Sequence, residues 1–413
     1  CWDLYARVTQ WYEEDDARLS HRRDALHDLE HDADPTAAMA RAVTDSIVRC
    51  HLRTMARLGV EYDLLSWEGD ILRLAFWDRA FEILKASGAV RLQADGRLAG
   101  CWVMPIDEVG EAGAPPDAGQ AGAPPDAGQA GAPDAASGDP DARLKVIVRS
   151  NGTVTYVGKD IAYQLWKFGL LGRDFEYAPF RDATRRGGPL WETAPAEPDA
   201  GDGKRRPDFG TGARVINVID ARQAYLQRIV RAGLEALGHE DEARDSIHFA
   251  YEMVALSAKT AERLGFAGDS QLEMSGRKGI GVKADDLLDQ LEAKSRDEIL
   301  ERRGPDGIDG DDEAASEDIG VLARQIAVAA LRFFMARATT TRVIAFDIDD
   351  ATSFEGESGP YLQYSIVRAR NIHPILHEQD ADLRDARLAV TQVFERSLEA
   401  LAQILGVPLP ERM

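Results

Sequence analysis

The sequence predicts an α/β fold, in which a parallel-sheet domain is followed by an all-α helical region. The apolar run ARVINVID (213–220) is typical of a buried parallel strand, and a helix-length segment ending in glycine follows it at 221–238. An earlier strand at 143–150, with a helix opening at Asp160, repeats this order, as expected of right-handed parallel connections. From residue 319 onward, long segments with helical periodicity predict the helical region.

Two helices are predicted nearer the start of the chain. The first spans 34–59, where Asp34 and Pro35 supply an N-cap and a first-turn proline, and Gly59 ends the helix. The second, FWDRAFEILKASG, spans 76–88 and also ends in glycine. Both carry apolar residues near helical spacing, which predicts that each buries one face.

Several segments between these elements are predicted to be irregular. AGAPPDAGQ occurs twice in tandem, at 112–120 and 121–129, and lacks the bulky apolar residues that offset the entropy of ordering. Polar stretches at about 181–212 and 301–316 are predicted as loop insertions on the same grounds. NGTVTYVG (151–158) is predicted as a turn and a second strand.

Composition limits the class of protein. The chain has 413 residues and a formal net charge of -22, which argues against generic nucleic-acid binding. No run approaches the roughly 18 uncharged apolar residues of a membrane span. The three cysteines form no CxxC pair, which favours a reducing, cytoplasmic location. The first residues lack both a signal peptide and an initiator methionine, so we expect a piece of a longer protein.

One short loop has the composition of a phosphate-binding lid. In MSGRKG (274–279), glycines flank Arg277 and Lys278. Neither GxxxxGK[ST] nor GxGxxG occurs in the chain, so the two common nucleotide fingerprints are missing. A cationic loop beside an α/β sheet can close over a polyphosphate, although a solvated glycine turn has the same composition. The loop alone leaves both interpretations open.

Together with four other segments, this loop resembles a known family, the class I arginyl-tRNA synthetases. EMSGRKG is similar to that family's version of the class I KMSKS signature, with Gly276 where threonine is usual. The segments, in the family's order, are RLGVEYDLLSWEGD (57–70), TYVGKDIAYQ (155–164), HFAYEMV (248–254), EMSGRKG (273–279) and FEGESGPYLQYSIVRARNI (354–372). The resemblance implies a Rossmann-like parallel-sheet catalytic domain, incomplete in this chain, followed by a helical region.

The resemblance implies an arginine pocket made by Glu68, Tyr156, Asp160 and Gln223. A guanidinium needs carboxylates for bidentate pairing and an aromatic wall for its flat face, and these residue types provide both. Each residue taken alone has an ordinary structural interpretation. Asp160 could be a helix N-cap, Tyr156 a half-buried strand aromatic and Glu68 a solvated loop acid.

The resemblance also implies an ATP site and its catalytic groups. His248, Met253 and Val254 match the adenine side, and Met274 belongs to the same site through the signature loop. His248 alone could equally be a structural histidine.

Three residues of the loop are the expected catalytic groups. Arg277 and Lys278 would stabilise the phosphates, Lys278 would also bind ATP, and Ser275 would donate a hydrogen bond. Mg²⁺ would share the phosphate charge. No protein-bound metal is expected, because the histidine pairs His27/His31 and His373/His377 lack a third ligand. The implied partners are arginine, ATP and tRNA(Arg), with no membrane.

Four regions follow from these assignments. Residues 1–108 are expected to be a connective insertion within the catalytic domain, 109–142 a flexible low-complexity insertion, 143–318 the second half of the Rossmann-like domain with its KMSKS-like loop, and 319–413 a helical region leading into a truncated anticodon-binding domain. Arginines in this last region, such as Arg332, Arg337 and Arg370, could contact RNA or be ordinary surface residues.

The sequence departs from the family in one major respect. No HxGH occurs, although the family carries a HIGH signature that binds the ATP phosphates. We therefore expect the 413-residue chain alone to be inactive in aminoacylation. Two alternatives to a part of an ordinary synthetase remain open: a degenerate synthetase-like protein that binds arginine, nucleotide or RNA without aminoacylation, and a class I enzyme for another cationic amino acid, such as lysine.

Overall fold

The computed structural model describes residues 2–30, 35–73, 76–105, 144–185, 188–194, 207–265, 282–303, 313–371 and 377–411. The chain divides into two compact units. One comprises Tyr62–Glu252, and the other comprises Cys1–Glu61 with Met253–Met413. The AGAPPDAGQ repeat lies outside the described residues. The four functional regions predicted from the sequence stay a prediction.

The elements are numbered in chain order. The helices are α1 (Trp2–Glu13), α2 (Leu19–Glu30), α3 (Thr36–Arg57), α4 (Glu68–Arg73), α5 (Phe76–Ala86), α6 (Tyr156–Lys167), α7 (Ala224–Ala236), α8 (Glu240–Asp245), α9 (Ala258–Arg263), α10 (Ala284–Arg303), α11 (Glu313–Arg337), α12 (Ile348–Thr352), α13 (Gly359–Arg370) and α14 (Ala381–Leu405). The strands are β1 (Leu64–Leu65), β2 (Arg91–Leu92), β3 (Trp102–Pro105), β4 (Leu144–Val148), β5 (Glu176–Arg185), β6 (Gly188–Ala194), β7 (Val215–Asp220), β8 (Ser246–Tyr251), β9 (Val254–Leu256) and β10 (Ile344–Phe346).

The predicted parallel strand at 213–220 is confirmed as β7, which pairs in parallel with β8. Its predicted burial on both faces is wrong. Val215 and Asn217 are buried, whereas Ile216 and Val218 are 57% and 62% exposed. Alternation along a strand sends successive side chains to opposite faces, so one face of this sheet meets the core and the other meets solvent.

Two further sheets of this unit differ from the sequence prediction. β4, predicted as part of the parallel sheet, instead joins β2 and β3 in an antiparallel sheet. The stretch 181–212, predicted as a loop insertion, contains the end of β5 and all of β6, which pair as antiparallel strands. Polar composition misled the prediction here, because strands that are half-exposed need apolar residues on one side only.

Helix α6 begins at Tyr156, four residues before the predicted start at Asp160. Thr155 is the N-cap residue and has an extended backbone. Its hydroxyl donates to the carbonyls of Val146 and Ile147, at 3.1 and 3.0 Å, which anchors the start of the helix to β4. The predicted second strand is reduced to a single bridge between Val154 and Val148.

Aromatic side chains fill the core between α5, α6 and β5. The rings of Phe76 and Phe175 lie 4.2 Å apart, centroid to centroid, and those of Trp166 and Phe175 lie 4.9 Å apart. All three side chains are buried. A Cβ on Gly158 would come within 2.8 Å of the Trp77 ring, so glycine is what allows the first turn of α6 to approach α5 this closely.

The second unit is built around α11. This helix contributes to three apolar clusters, through Ile326, Ala329 and Ala330 among others. The helices predicted from residue 319 onward are confirmed as α11, α13 and α14, but the region is not all-α. β10 interrupts it and pairs in parallel with β9, and Phe346 of β10 packs against Phe334 with ring centroids 4.8 Å apart.

Part of α11 has the length and composition of a membrane span. The segment Glu317–Arg337 has 21 residues and a mean hydropathy of 1.6 in its most apolar window. A helix at the centre of a folded unit passes the same test, and the buried residues of α11 occupy that place. Its apolar composition therefore has an explanation in the core of the unit.

The predicted helix at 34–59 is confirmed as α3, and Gly59 follows it with φ 69°. Pro35 takes the N-cap position, so the helix begins one residue later than predicted, and Asp34 lies outside the described residues. The helix at 76–88 is confirmed as α5. At the end of α3, Arg57 donates to Asp285, Asp289 and Glu292 of α10, at 2.7, 2.6 and 2.8 Å.

Candidate active site

The loop that carries Glu68 is held by the β-sheet beside it. β1 pairs in parallel with β6, and Glu68 opens the short helix α4 just after this pairing. The backbone N–H of Trp67 donates to the Thr193 hydroxyl of β6 at 2.9 Å, and that hydroxyl donates to buried Asp70 at 2.7 Å. These bonds fix where α4 begins. Glu68 itself is exposed.

One face of α6 carries a polar stripe. Tyr156, Asp160, Tyr163 and Lys167 follow one another at spacings of four, three and four, so they lie on the same side of the helix. The opposite side, which includes Ile161, is buried in the core. The two alternative interpretations of Tyr156 and Asp160 are therefore wrong: Tyr156 is not a strand residue and Asp160 is not an N-cap, because the helix has begun before either is reached.

Lys159 connects Glu68 to this stripe. Its Nζ lies 3.3 Å from Glu68 Oε1 and 5.5 Å from the centroid of the Tyr156 ring. The Lys159 side chain is 18% exposed, while Tyr156 is 49% exposed. The structure thus brings Glu68 and Tyr156 to the same ammonium group.

Asp160 lies in a mixed electrostatic environment. It is open to solvent on one side, yet the protein around it removes enough water to raise the pKa of Asp160 to about 6. The charge of Lys167 opposes this rise, the charge of Glu68 adds to it, and the charge of Lys159 opposes it. The charge of Glu68 therefore reaches Asp160, although the two residues lie on different helices.

Lys167 ends the stripe in a buried polar network. Its Nζ donates to Asn217 Oδ1 at 2.9 Å, and Asn217 Nδ2 donates to Gln164 Oε1 at 3.4 Å. Gln164 Nε2 then donates to the Ser246 hydroxyl at 2.9 Å. Burial lowers the pKa of Lys167, and the charge of Asp160 opposes this change. The network joins α6 to the first half of β7 and to the start of β8.

A backbone bond ties the end of α6 to the beginning of β7. The N–H of Gly212, just before β7, donates to the carbonyl of Lys167 at 2.8 Å. Ligands of open α/β sheets bind at the carboxyl ends of the strands. A place for Tyr156 and Asp160 at those ends stays a prediction.

Gln223 follows β7 at the same carboxyl end, after a 3₁₀ turn. It takes the N-cap position of α7, its side chain makes no capping bond, and the residue is exposed. Among the polar contacts of the described residues, none joins Gln223 to Glu68, Tyr156 or Asp160. Its part in the arginine pocket stays a prediction.

The residues predicted for the adenine side belong to different units. In the unit Tyr62–Glu252, His248 Nε2 lies 2.9 Å from the carbonyl oxygen of Ile219 on the neighbouring strand, a contact that serves the sheet. In the other unit, the carbonyl of Met253 accepts from the N–H of Ile344 at 3.3 Å, and Val254 opens β9 with 38% of its surface exposed. Their roles in ATP binding stay predictions.

The predicted catalytic loop cannot be placed. Met274, Ser275, Arg277 and Lys278 all lie outside the described residues.

Three arginines that could contact RNA have protein partners instead. Arg332 donates to the carbonyl of Leu405 at 2.8 Å, and its Nη1 donates to the carbonyl of Leu58 at 2.7 Å. Arg337 donates to the Glu357 carbonyl, and Arg370 to the Glu399 carboxylate. These contacts tie helix ends together within the unit.

Sequence reasoning missed Lys159, Lys167 and Asn217 as members of the site. A usable signal was present for two of them. Once α6 is started at Tyr156, Lys167 falls on the same face as Asp160, and Lys159 falls beside it. Asn217 gave no signal, because its partner is brought near only by the packing of α6 on β7.

The chain is similar to known proteins over most of its length. No family model matches the chain. The arginine–tRNA ligase of Deinococcus radiodurans is 33% identical over 90% of this chain and 53% of its own length. That of Thermococcus kodakarensis is 30% identical over 89% of this chain and 49% of its own length. The chain thus spans about half the length of the curated relatives it matches.

Solved structures give the same result. The arginyl-tRNA synthetase of Thermus thermophilus superposes with a TM-score of 0.70 at 26% identity, over 96% of this chain and 67% of the other. The enzyme of Plasmodium falciparum superposes with a TM-score of 0.53 over 97% of this chain and 53% of the other, but at 12% identity it supports the fold alone. These superpositions confirm the predicted α/β fold with its helical region. By sequence and by fold, the chain belongs to the arginyl-tRNA synthetase family of the class I aminoacyl-tRNA synthetases.

Proposed function

We propose that this chain carries the arginine-binding site of an arginine–tRNA ligase, and that the whole protein joins arginine to tRNA(Arg) through an arginyl-adenylate. One observation carries the proposal. The Glu68 carboxylate and the exposed ring of Tyr156 meet at the Lys159 ammonium, and the charge of Glu68 acts on Asp160, one turn along α6 from Tyr156.

This arrangement suits a guanidinium better than other side chains. A guanidinium offers five N–H donors in a plane, so two carboxylates can each accept from it while an aromatic ring covers its face. The mutual repulsion of Glu68 and Asp160 is relieved when a cation sits between them. A neutral ligand of the same shape would leave that repulsion in place and would bind weakly.

The proposed reaction has two steps and needs no protein nucleophile. In the first, an oxygen of the arginine carboxylate attacks the α-phosphorus of ATP, the bond to the bridging oxygen breaks, and pyrophosphate leaves. In the second, a ribose hydroxyl at the 3′ end of the tRNA attacks the carbonyl carbon, loses its proton, and AMP leaves. The protein contributes alignment and stabilisation of charge, for which we propose His248, Met253 and Val254 on the adenine side and Met274, Ser275, Arg277 and Lys278 in the signature loop.

Mg²⁺ is proposed as a companion of ATP rather than as a resident ion. Among the residues that the structure describes, no group of three or more histidine, cysteine, aspartate or glutamate side chains could hold a metal. The described residues therefore do not fit a protein-held Mg²⁺, and we assign no step to one. We place the reaction in the cytoplasm, where tRNA is charged, in keeping with the free thiols of Cys50 and Cys101.

Arginine binding by the 413-residue chain tests the proposal. Calorimetry should show binding of arginine and at least tenfold weaker binding of citrulline, whose ureido group is neutral, because ionic hydrogen bonds are worth about 1.5–3 kcal/mol. Asp160→Asn should weaken arginine binding to a similar extent. Glu235→Gln, which alters an exposed carboxylate paired with Arg231 on α7, serves as the control and should bind arginine normally. Equal affinity for arginine and citrulline would show that no site for a charged guanidinium is present.

The activity of the whole protein is tested separately, by arginine-dependent exchange of pyrophosphate into ATP with tRNA present. Asp160→Ala should abolish this exchange, because the guanidinium loses one of its two proposed carboxylate partners. Normal exchange in that variant would exclude Asp160 from the pocket.

A further inference from the structure

The ammonium group of Lys159 occupies the position proposed for the guanidinium of arginine. Its ammonium contacts the Glu68 carboxylate at 3.3 Å and faces the Tyr156 ring at 5.5 Å. It also acts electrostatically on Asp160. Glu68 and Tyr156 are two of the groups proposed for the guanidinium, so one internal cation already uses contacts that the ligand would need.

Two cations cannot use these contacts together without strong repulsion. Of the two lysines near Asp160, Lys167 is fixed by its 2.9 Å bond to Asn217. The contact of Lys159 is longer, and its partner Glu68 has a side chain that is 64% exposed. An ion pair with a solvated carboxylate is weak, so Lys159 is the lysine that can move.

We propose that Lys159 is an internal competitor for the arginine site: its ammonium holds the guanidinium position in the ligand-free protein, and arginine displaces it. This inference rests on the arginine site proposed above. Every ligand that takes this position must first displace the Lys159 ammonium, so the competition lowers the affinity of each ligand by the same factor. The preference for arginine over lysine then comes from the planar, bidentate donors of the guanidinium, which an ammonium lacks.

Substitution of Lys159 tests the proposal by calorimetry on the 413-residue chain. In Lys159→Met, the competing charge is gone and the aliphatic stem remains. Arginine affinity should rise about two- to fivefold, in line with an exposed ion pair. Lysine affinity should rise by the same factor, because both ligands displace the same ammonium. Lys159→Arg keeps the competitor and should show no gain for either ligand.

Controls separate this role from others. Lys85→Met removes a lysine that lies over the Phe81 ring of α5 and should change neither affinity. Agmatine, which is arginine without its carboxylate, tests whether Lys159 contacts the substrate carboxylate directly. If Lys159→Met weakens arginine but not agmatine, then Lys159 binds the substrate carboxylate and the proposal is overturned. Unchanged affinities for arginine and lysine would overturn it as well.

A second measurement needs no variant. Acetylation of Lys159, followed by mass spectrometry, should increase when the wild-type chain is saturated with arginine, because displacement frees the ammonium. Citrulline should leave the labelling unchanged, and protection of Lys159 by arginine would contradict displacement. Suppose that arginine binds to the wild type but not to Asp160→Asn, while the acetylation of Lys159 stays the same with and without arginine. In that case the inference fails and the proposed function stands. If wild type does not bind arginine at all, both fail.

Discussion

The chemistry of single residues explains why the proposed site would select a cation. Glu68 and Asp160 are both exposed on one side, yet the protein around Asp160 removes enough water to raise the pKa of its carboxyl. Desolvation raises the pKa of Asp160, which means that the free site holds its charge less readily than a surface aspartate does. A bound guanidinium would reverse that effect.

Arginine binding should therefore depend on pH in a defined direction. The pKa of Asp160 is raised from 3.8 to about 6, so the carboxylate is charged above pH 6 and becomes protonated below it. Arginine affinity should be constant at pH 7–8 and fall toward tenfold per unit below pH 6. Calorimetry from pH 5 to pH 8 measures this. Asp160→Asn should give a weak and nearly flat profile, and a sloping profile in that variant would assign the titration to another group.

Stability should show the opposite trend at the same residue. An aspartate whose pKa is raised by folding binds its proton more tightly in the folded state. Its contribution therefore favours the fold as pH falls from about 6 to 3.8, and this advantage is lost as pH rises through 6. The raised pKa of Asp160 costs the free protein stability that arginine binding recovers.

At the scale of elements, the start of α6 decides the geometry of the site. Tyr156 and Asp160 share a face only because the helix begins at Tyr156. Gly158 between them permits the close approach of this turn to Trp77. The helix start, its packing on α5 and the alignment of the two site residues are thus consequences of one local arrangement.

Gly158→Ala should lower stability by about 1–3 kcal/mol, although alanine is the better helix former. The added Cβ would lie 2.8 Å from the Trp77 ring and 3.0 Å from Val154 Cγ1, and both contacts are too short. Gly320→Ala is the matched control in α11, where the nearest heavy atom would be 3.7 Å away. It should raise stability by about 0.5–1 kcal/mol. Chemical denaturation measures both, and equal changes would refute the packing explanation.

A second prediction at this scale concerns the clamp between α3 and α10, by which we mean the bonds from Arg57 to three carboxylates of α10. Arg57 bonds three carboxylates, so Arg57→Gln should cost roughly 1–2 kcal/mol and leave Asp285, Asp289 and Glu292 repelling one another. Arg387→Gln in the same unit removes a contact with Glu378 alone and should cost less. The melting temperatures of the two variants in low salt measure this difference. A larger loss for Arg387→Gln would contradict the clamp.

These elements also show what the sequence could predict. Helices with clear apolar spacing and a terminal glycine, such as α3, α5 and α7, were predicted within a few residues. The start of α6 was not, because TVTY has strand propensity and the signal that overrides it is the contact of Thr155 with β4. Tyr156, Asp160 and Glu68 came from the family resemblance, whereas Asn217 emerged only from packing.

At the scale of the whole molecule, an apolar sheet face meets solvent. On β7 and β8, Ile216 and Val218 stand beside Ile247 and Phe249 in register, and all four are at least 36% exposed. Parallel sheets usually have both faces covered, and the chain spans about half the length of the curated relatives it matches. An exposed apolar face of this kind promotes association.

Replacement of Ile216 and Val218 by threonine should reduce binding of a hydrophobic dye and self-association, with little change in melting temperature. The β-branched shape suited to a strand is kept, and no buried contact is lost. Val215→Thr, on the buried face of the same strand, is the control and should cost about 1–3 kcal/mol because its hydroxyl is buried. Unchanged dye binding in the double variant would show that this face is not the exposed one in solution.

The most direct test of the account is a double-mutant cycle of arginine affinity with Glu68→Gln and Asp160→Asn. If the two carboxylates hold one guanidinium, each single change should weaken binding, and the double change should cost clearly less or more than their sum, with a coupling of about 0.5–3 kcal/mol. Strictly additive losses, or full affinity in the double variant, would show that these carboxylates do not form a single arginine site.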